Sequence, residues 1–587
     1  MKSGKQTEKW AEILFLSGIS LVCFVFLNIL ITAALLLVNV SVTAITPVLA
    51  LAGACAITVM LNSRCAPLQE RSSAITALFA AVALIVVCVA VSMLVCDRSY
   101  DGNYYHKVAI GSLANGWNPL YEGVVEFWQR ASFPMPVTND DALWVDHYAK
   151  ASYFYAAPIY ALTGNIEAGK SINLISLLAL FLLWCGYLLH RKKHPLFVLI
   201  FGGVLASCPI FGAQLLTNYI DLLVGIYLFI IILVFFVFEE ETFFGRSGAV
   251  HLLLFMSLGI MINIKFSSFG YAGLFCLGYY LWYMYRVWKQ ELAMKELIRL
   301  TVNAAAAVAV GVLVIGLSVY GKNFVDHGHP FYPLFGEGKI DIMGINQPAC
   351  FAGMSAVEKF FYATFSYAEN IIEADGMKPV LKIPFTMTQT ELWSIPAMDL
   401  RISGYGVWFG GILILCVLLF ALTVKSVWKN NRLLFMLTVI PLGITLVMIP
   451  CFGESWWARY FPQLYLLPLF VLLYLEDSGA RLKTAVIGLM AALLLVNNGL
   501  TFGTASLAAL RMTSEVNGQL AYMEQTVSES DGVTVLKAGP IRGALYNAVD
   551  RLEDGTVYVV QSENDAAAAS ATEPMYMNFV YWGIMHE

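Results

Sequence analysis

A short acidic and aromatic segment, Asp97-Arg98-Ser99-Tyr100-Asp101-Gly102-Asn103-Tyr104-Tyr105-His106, holds residue types suited to chemistry on a sugar. A carboxylate such as Asp101 accepts a proton from an attacking hydroxyl, and aromatic rings stack on sugar faces. If residues 103–113 are helical, Tyr105 and His106 fall within one turn of each other. Asp101 is also well placed to cap that helix, and the two roles are compatible. Four further ionisable residues sit in or beside apolar runs: Lys170, Asp221, Lys265 and Arg459, the last followed by Tyr460. Such groups are costly in a membrane and are expected to serve a site. Lysine offers a phosphate group a point charge, and arginine a two-pronged fork. The plain alternatives are that Lys265 and Arg459 snorkel to the interface and that Asp221 pairs with one of them. Trp456 and Trp457 fit an interfacial aromatic belt at least as well as a sugar platform.

The elements that must position these residues are membrane spans. Of 587 residues, 59% are hydrophobic and 13% charged, about half the charge of a typical soluble protein. Mean hydropathy is +0.71. Single soluble cores stop growing at about 250–300 residues, so a chain this apolar is read as a polytopic membrane protein. Apolar runs cover 13–38, 44–61, 74–95, 172–189, 195–211, 219–238, 249–262, 266–285, 302–320, 406–424, 433–449, 460–475 and 485–500. The expected fold is therefore an all-α polytopic bundle of about 13 transmembrane helices. The run at 151–163 is too short to cross and is expected as an interfacial or re-entrant helix. Lys and Arg crowd one set of segments, including Lys2, Lys5, Lys9, Arg64, Arg71, Arg191, Lys192, Lys193, Arg286, Lys289, Lys425 and Arg432. The opposite short loops carry only Lys265 and Arg459. By the positive-inside rule the N-terminus is inside, and an odd span count puts the C-terminus outside.

The chain then divides into 1–96 (N-terminal spans), 97–171 (acidic and aromatic outer loop), 172–320 (transmembrane core), 321–405 (large outer loop), 406–500 (C-terminal spans) and 501–587 (outer domain). In the last, 533–536 and 556–560 read as strands around a helix at 543–552, giving a small α/β cap; 566–569 reads as loop. Most of the 11 cysteines lie inside apolar runs without C-x-x-C spacing and read as small buried hydrophobes. Cys350 and Cys451 are open to pairing. Asp326, His327 and His329 make a weak metal motif because no third distant ligand accompanies them; a turn-forming aromatic lip is the better reading. Net charge is −5, with no basic block of the kind that binds nucleic acid.

Asp101 with Tyr105-His106 resembles the D-x-x-x-Y-H element in the first large outer loop of the GT-C superfamily of polytopic glycosyltransferases. The nearer likeness is to its bacterial lipopolysaccharide-core-transferase and protein O-mannosyltransferase branch. Asp146-His147-Tyr148-Ala149-Lys150, running on to Gly169-Lys170-Ser171-Ile172-Asn173, resembles an H-Y-x-K…G-K-x-x-N stretch there. The start of the large loop, Asn323 to Pro333, resembles an N…H-P-F-Y-P stretch of the same superfamily. The chain departs from the pattern in placing three spans, not one, before the acidic loop. The resemblance implies a transferase at the outer face of a bacterial cytoplasmic membrane, moving sugar from a polyprenyl-phosphate donor to a glycan, lipid or protein acceptor with inversion. Asp101 would be the catalytic base or acceptor-positioning carboxylate. Tyr105, His106, Asp146, His147, Lys170, Asp221, Lys265, Arg459 and Tyr460 would bind substrate; for Asp146 a solvated loop acid is the better reading. No metal and no cofactor beyond the lipid-linked donor is expected. Two other classes remain: an outer-face polysaccharide polymerase or ligase, whose basic residues such as Arg401 would lie in the large loop, and a secondary transporter, which the lack of internal symmetry disfavours.

Overall fold

The computed structural model describes residues 2–131, 139–370, 378–479, 481–530, 533–539, 541–552, 557–560 and 573–585. The tract 566–569 lies outside them. Each apolar run overlaps a helix. In chain order the main helices are α1 (Lys2–Leu37), α2 (Thr46–Cys65), α3 (Arg71–Met93), α4 (Lys107–Ala114), α5 (Ala151–Thr163), α6 (Ser171–His190), α7 (Pro195–Ala206) and α8 (Asp221–Phe238). They continue as α9 (Gly248–Met261), α10 (Phe266–Trp288), α11 (Met294–Val310), α12 (Ala356–Phe365), α13 (Phe409–Asn430), α14 (Arg432–Cys451), α15 (Leu466–Asp477), α16 (Lys483–Ser528) and α17 (Leu545–Val549). Nine helices among the described residues are long and apolar enough to cross a membrane. The protein is an all-α polytopic membrane protein with a small C-terminal sheet.

α8 is the centre of the bundle, buried along its whole length, with α6, α9 and α10 around it. α2, α3 and α11 lie outside and leave large apolar residues such as Phe79 exposed; in a membrane these meet lipid, not water. With lipid outside and apolar side chains inside, polar ties specify the packing. Asn497 of α16 donates to Tyr405 O at 2.8 Å and accepts from Trp408 N at 2.9 Å. Its neighbour Asn498 donates to Tyr465 Oη at 2.6 Å. Asn173 of α6 donates to Thr217 O at 2.7 Å, holding the turn that enters α8.

α5 has the expected bounds and is buried against α1 and α4. One expectation changes. The last span does not stop near residue 500: α16 runs on as one helix to Ser528. Beyond it stand β1 (Val533–Ala538), β2 (Val557–Val560), β3 (Glu573–Met575) and β4 (Val580–Met585), in the order β2-β1-β4-β3. β1 and β2 are parallel, as two strands around a helix require, and β4 pairs antiparallel with both β1 and β3. This cap, the 97–171 segment and the 321–405 loop meet at one end of the bundle. Tyr576 Oη donates to Asp97 O, and Arg98 donates to Pro396 O. The opposite end carries the ion pairs Arg191–Glu240, Lys193–Asp477 and Arg286–Glu239. Cys350 and Cys451 are both free thiols.

Candidate functional site

Four charged side chains converge at the loop end, each set by an element boundary. Asp101 immediately precedes a π-helical turn, Gly102–His106, that feeds α4. Asp221 is the first residue of α8, Lys265 immediately precedes α10, and Arg459 lies in the 3-10 turn Ala458–Tyr460 between α14 and α15. A helix N-terminus favours a carboxylate in its first turn, which suits Asp221.

The segment carrying Asp101 is tied to the one carrying Asp221 through Asp97. One Asp97 carboxylate oxygen accepts from Ser99 N at 2.8 Å and Ser99 Oγ at 2.7 Å. The other accepts from Asn218 N and Nδ2, both at 2.8 Å. Gly102 is forced by this packing, since a Cβ there would stand 2.1 Å from Asp97 Oδ2. The cap closes over the same turn: a Cβ on Gly543 would stand 2.5 Å from Asn103 O.

Within the cluster Lys265 Nζ meets Asp221 Oδ1 at 2.6 Å and lies 3.7 Å from the Tyr460 ring centroid. Arg459 shares the other Asp221 oxygen, Nε to Oδ2 at 3.5 Å, and approaches Asp101 Oδ2 at 3.6 Å. Its guanidinium is flanked by Trp457, Tyr460 and Tyr219 at 4.5, 5.0 and 5.1 Å. Gln214 Nε2 donates to Asp221 Oδ2 at 3.4 Å. The two acids and two bases balance, but the loose pairs leave Arg459 Nε without a hydrogen-bond acceptor among the described residues. Exposure falls from Asp101 at 23% to Arg459 at 11% and Asp221 at 3%. Asp101 thus faces outward, and Asp221 orients the two cations from behind. Burial raises the Asp101 carboxyl above the ordinary carboxylate range, and Arg459 pulls the other way. Desolvation works against the charge on Lys265, yet the adjoining Asp221 outweighs it and holds the ammonium above its ordinary value.

Asp101, Asp221, Lys265, Arg459 and Tyr460 therefore share one place. Lys265 and Arg459 do not snorkel, and the Asp101 side chain makes no capping hydrogen bond. Trp456 and Trp457 are buried, stacked on one another at 5.2 Å, and form no interfacial belt. Tyr105 and His106 lie alongside, rings 4.4 Å apart, with Tyr105 reaching Trp144 and Tyr148. Burial lowers the His106 pKa from 6.5 to about 3, so its imidazole is neutral and no acid–base partner near pH 7.

The remaining predicted residues are elsewhere, bound into the scaffold. Asp146 accepts from Val124 N at 2.9 Å, pinning the start of a short helix, so it is not a loose loop acid. His147 bonds Asn323 Oδ1 at 2.8 Å and packs on His327 and Tyr332. Lys170 is buried and bound to Glu167 and Val95 O. His327 stacks on Tyr332 at 3.7 Å, and His329 Nδ1 accepts from Phe331 N at 3.1 Å, as an aromatic lip would. Among the described residues no three His, Cys, Asp or Glu side chains gather as metal ligands would.

Sequence reasoning missed Asp97, Gln214, Tyr219 and Asp399. Asp399 reaches the site from the large loop; its charge acts on Asp101, its carbonyl accepts from Trp457 Nε1 at 3.0 Å, and its carboxylate pairs with Arg401 at 3.1 Å. The only signal was the Asp399-Leu400-Arg401 spacing. Arg401 itself is engaged by Asn346 O, Asn370 and Asp399.

No family model matches the chain, and no curated protein matches it. Two solved structures are similar to it. The crystal structure of ArnT from Cupriavidus metallidurans bound to undecaprenyl phosphate is 12% identical, with TM-score 0.39 over 83% of this chain and 86% of that one. The same protein in the apo state is 11% identical, with TM-score 0.33 over 84% and 87%. Both likenesses lie below the range in which a shared activity follows.

Proposed function

We propose that the protein is a membrane glycosyltransferase that moves a sugar from a polyprenyl-phosphate donor to a hydroxyl of a cell-envelope glycan, lipid or protein. The observation that carries this reading is one outward-facing carboxylate, Asp101, 3.6 Å from a guanidinium that shares a buried carboxylate with a lysine. A base and a phosphate-binding pair stand within one small site at the edge of the spans. The acceptor hydroxyl gives its proton to Asp101 as its oxygen bonds the anomeric carbon. The carbon–oxygen bond to phosphate breaks, and its electron pair leaves with the phosphate. Arg459, with donor capacity unspent, and Lys265 offset the growing charge. Attack opposite the leaving group inverts the anomeric centre. Asp221 holds both cations in place, and Tyr460 and Trp457 wall the guanidinium.

The excess of Lys and Arg at the opposite end of the bundle supports an orientation with that end, and the N-terminus, in the cytosol. The site and the C-terminal cap then lie on the outer face. The polymerase or ligase reading needs Arg401 free to act, and its bonds to Asn346, Asn370 and Asp399 weigh against it.

The test is transfer by the purified protein in nanodiscs, given radiolabelled polyprenyl-phosphate sugars and a membrane-glycan extract, beside Asp101→Asn. Transfer in the wild type and its loss in the variant are expected. Undiminished transfer in Asp101→Asn removes the central role of that carboxylate.

A further inference from the structure

The loop between residues 321 and 405 carries more exposed apolar surface than a water-facing loop normally bears. Along 380–387, Val380, Leu381, Ile383, Phe385 and Met387 are all exposed, Ile383 at 74%. The cation among them, Lys382, turns inward onto Glu391 at 2.5 Å with 4% of its side chain exposed. The outward face of this stretch is therefore uncharged. It is also firmly held. Leu381 bridges antiparallel to Ser366, Tyr367 N donates to Val380 O at 3.0 Å, and Lys382 N donates to Phe365 O at 3.0 Å. These bonds fix it beside α12, whose Val357 and Phe361 are exposed too, and α12 packs against α13 and α14.

Its seat is the first turn of the span α13. Ring carbons of Phe385 lie 2.8 Å from where a Cβ on Gly411 would stand. Further along α13 come Ile414, Leu418 and Leu422, all exposed. Their spacing from Gly411 puts all four on one stripe of the helix. In a chain that crosses a membrane this stripe faces lipid. The apolar loop segment continues the same surface past the end of the span.

We infer that 380–387, with Val357 and Phe361, is an interfacial shelf seated at the headgroup–acyl boundary of the bilayer. Its partner is membrane lipid: the stretch 380–387 is uncharged on its outward face, continuous with a lipid-facing stripe, and at the level where that span begins. Apolar surface so placed gains by leaving water for the upper acyl layer. The inference rests on the membrane fold and holds whatever reaction the charge cluster performs. It adds an anchor for the roof of that cluster, because the same loop supplies Asp399 and the Pro396 carbonyl that Arg98 bonds.

The test places the photo-crosslinking residue p-benzoylphenylalanine at Ile383, at Phe361 or at Tyr522 in the full-length protein in phospholipid nanodiscs. Tyr522 is a matched exposed control at 52%. It stands about 38 Å of helical rise beyond Asn497, the residue that bonds the start of α13. All three positions are exposed, and the introduced aromatic residue keeps the ring contact of Tyr522 with Trp582. Irradiation followed by mass spectrometry should find phospholipid adducts at 383 and 361 and their loss at 522. A yield at 383 no higher than at 522 overturns the shelf. A cross-link from 383 to a co-purifying protein without a lipid adduct assigns the patch to a protein partner and overturns it equally.

Discussion

Two clusters of paired acids and cations stand at the loop end, and they are built in opposite ways. In one, Glu167 accepts from Lys107 at 2.7 Å, Asn547 at 2.8 Å and Lys170, while Lys107 also donates to Asn103 and Asn547 at 2.8 Å. Its charged side chains are 0–3% exposed. Each of its charges is closely paired, and the cluster sews the segment after α3, the turn before α6 and the cap into one body. In the other, the pairs around Arg459 are 3.5 and 3.6 Å long, Nε lacks an acceptor, and Asp101 opens outward. Closely paired charges hold shape; charges with capacity left can take a ligand.

The contrast is sharpest under substitution. Asp101→Asn should lower transfer by about 10²–10⁴-fold, the usual worth of a positioned general base. Its melting temperature should stay near wild type, because the side chain caps nothing. Glu167→Ala should do the reverse. It strands Lys107 and Lys170 in the interior at a cost of about 3–5 kcal/mol. Thermal unfolding in detergent and proteolysis of the cap would register it; a stable but inactive Glu167→Ala would break the comparison. Arg459→Lys keeps the charge and loses the fork, so transfer should fall about 10–100-fold, in line with one lost bond to a charged group.

The smallest effect concerns pH. Asp550, between Tyr160 Oη and Ile166 N, anchors the cap to α5 and the turn after it. Burial raises its carboxyl from 3.8 to about 6. A carboxyl raised in the fold favours the fold when protonated. That contribution is full below about pH 4 and is lost as pH rises through about 6. Hydrogen exchange across 533–552 should therefore quicken between about pH 5 and 8, and Asp550→Asn should flatten the change.

Much of this was legible in the sequence for a simple reason. Ionisable residues at the ends of apolar spans are few, and a membrane rarely keeps one without use. That logic singled out Asp221, Lys265 and Arg459, which do meet. It also selected Lys170, because a sequence shows a cation beside a span but not whether Glu167 already pairs with it. Asp146 and His147 came in with a local resemblance and serve as structural bonds. Asp399 was hidden because its approach depends on how the large loop folds back. β3 escaped because it spans only three residues, and β4 because it pairs with β1, far upstream. The end of α16 was set where hydropathy falls; helix propensity persists there through Ala, Leu, Met and Gln, with isolated glycines tolerated.

That uninterrupted helix gears the cap to the bundle. α16 begins at the cytosol-facing end of the proposed orientation and finishes beneath the sheet, where Gln519 accepts from Tyr576 N at 2.9 Å. Adding or deleting one residue along it would turn everything beyond by about 100° and shift it about 1.5 Å. Tyr576 and Asn547 would then miss Glu167, and the turn beside Asp101 would lose its cover. The length of this one helix is thus a phase setting for the cap.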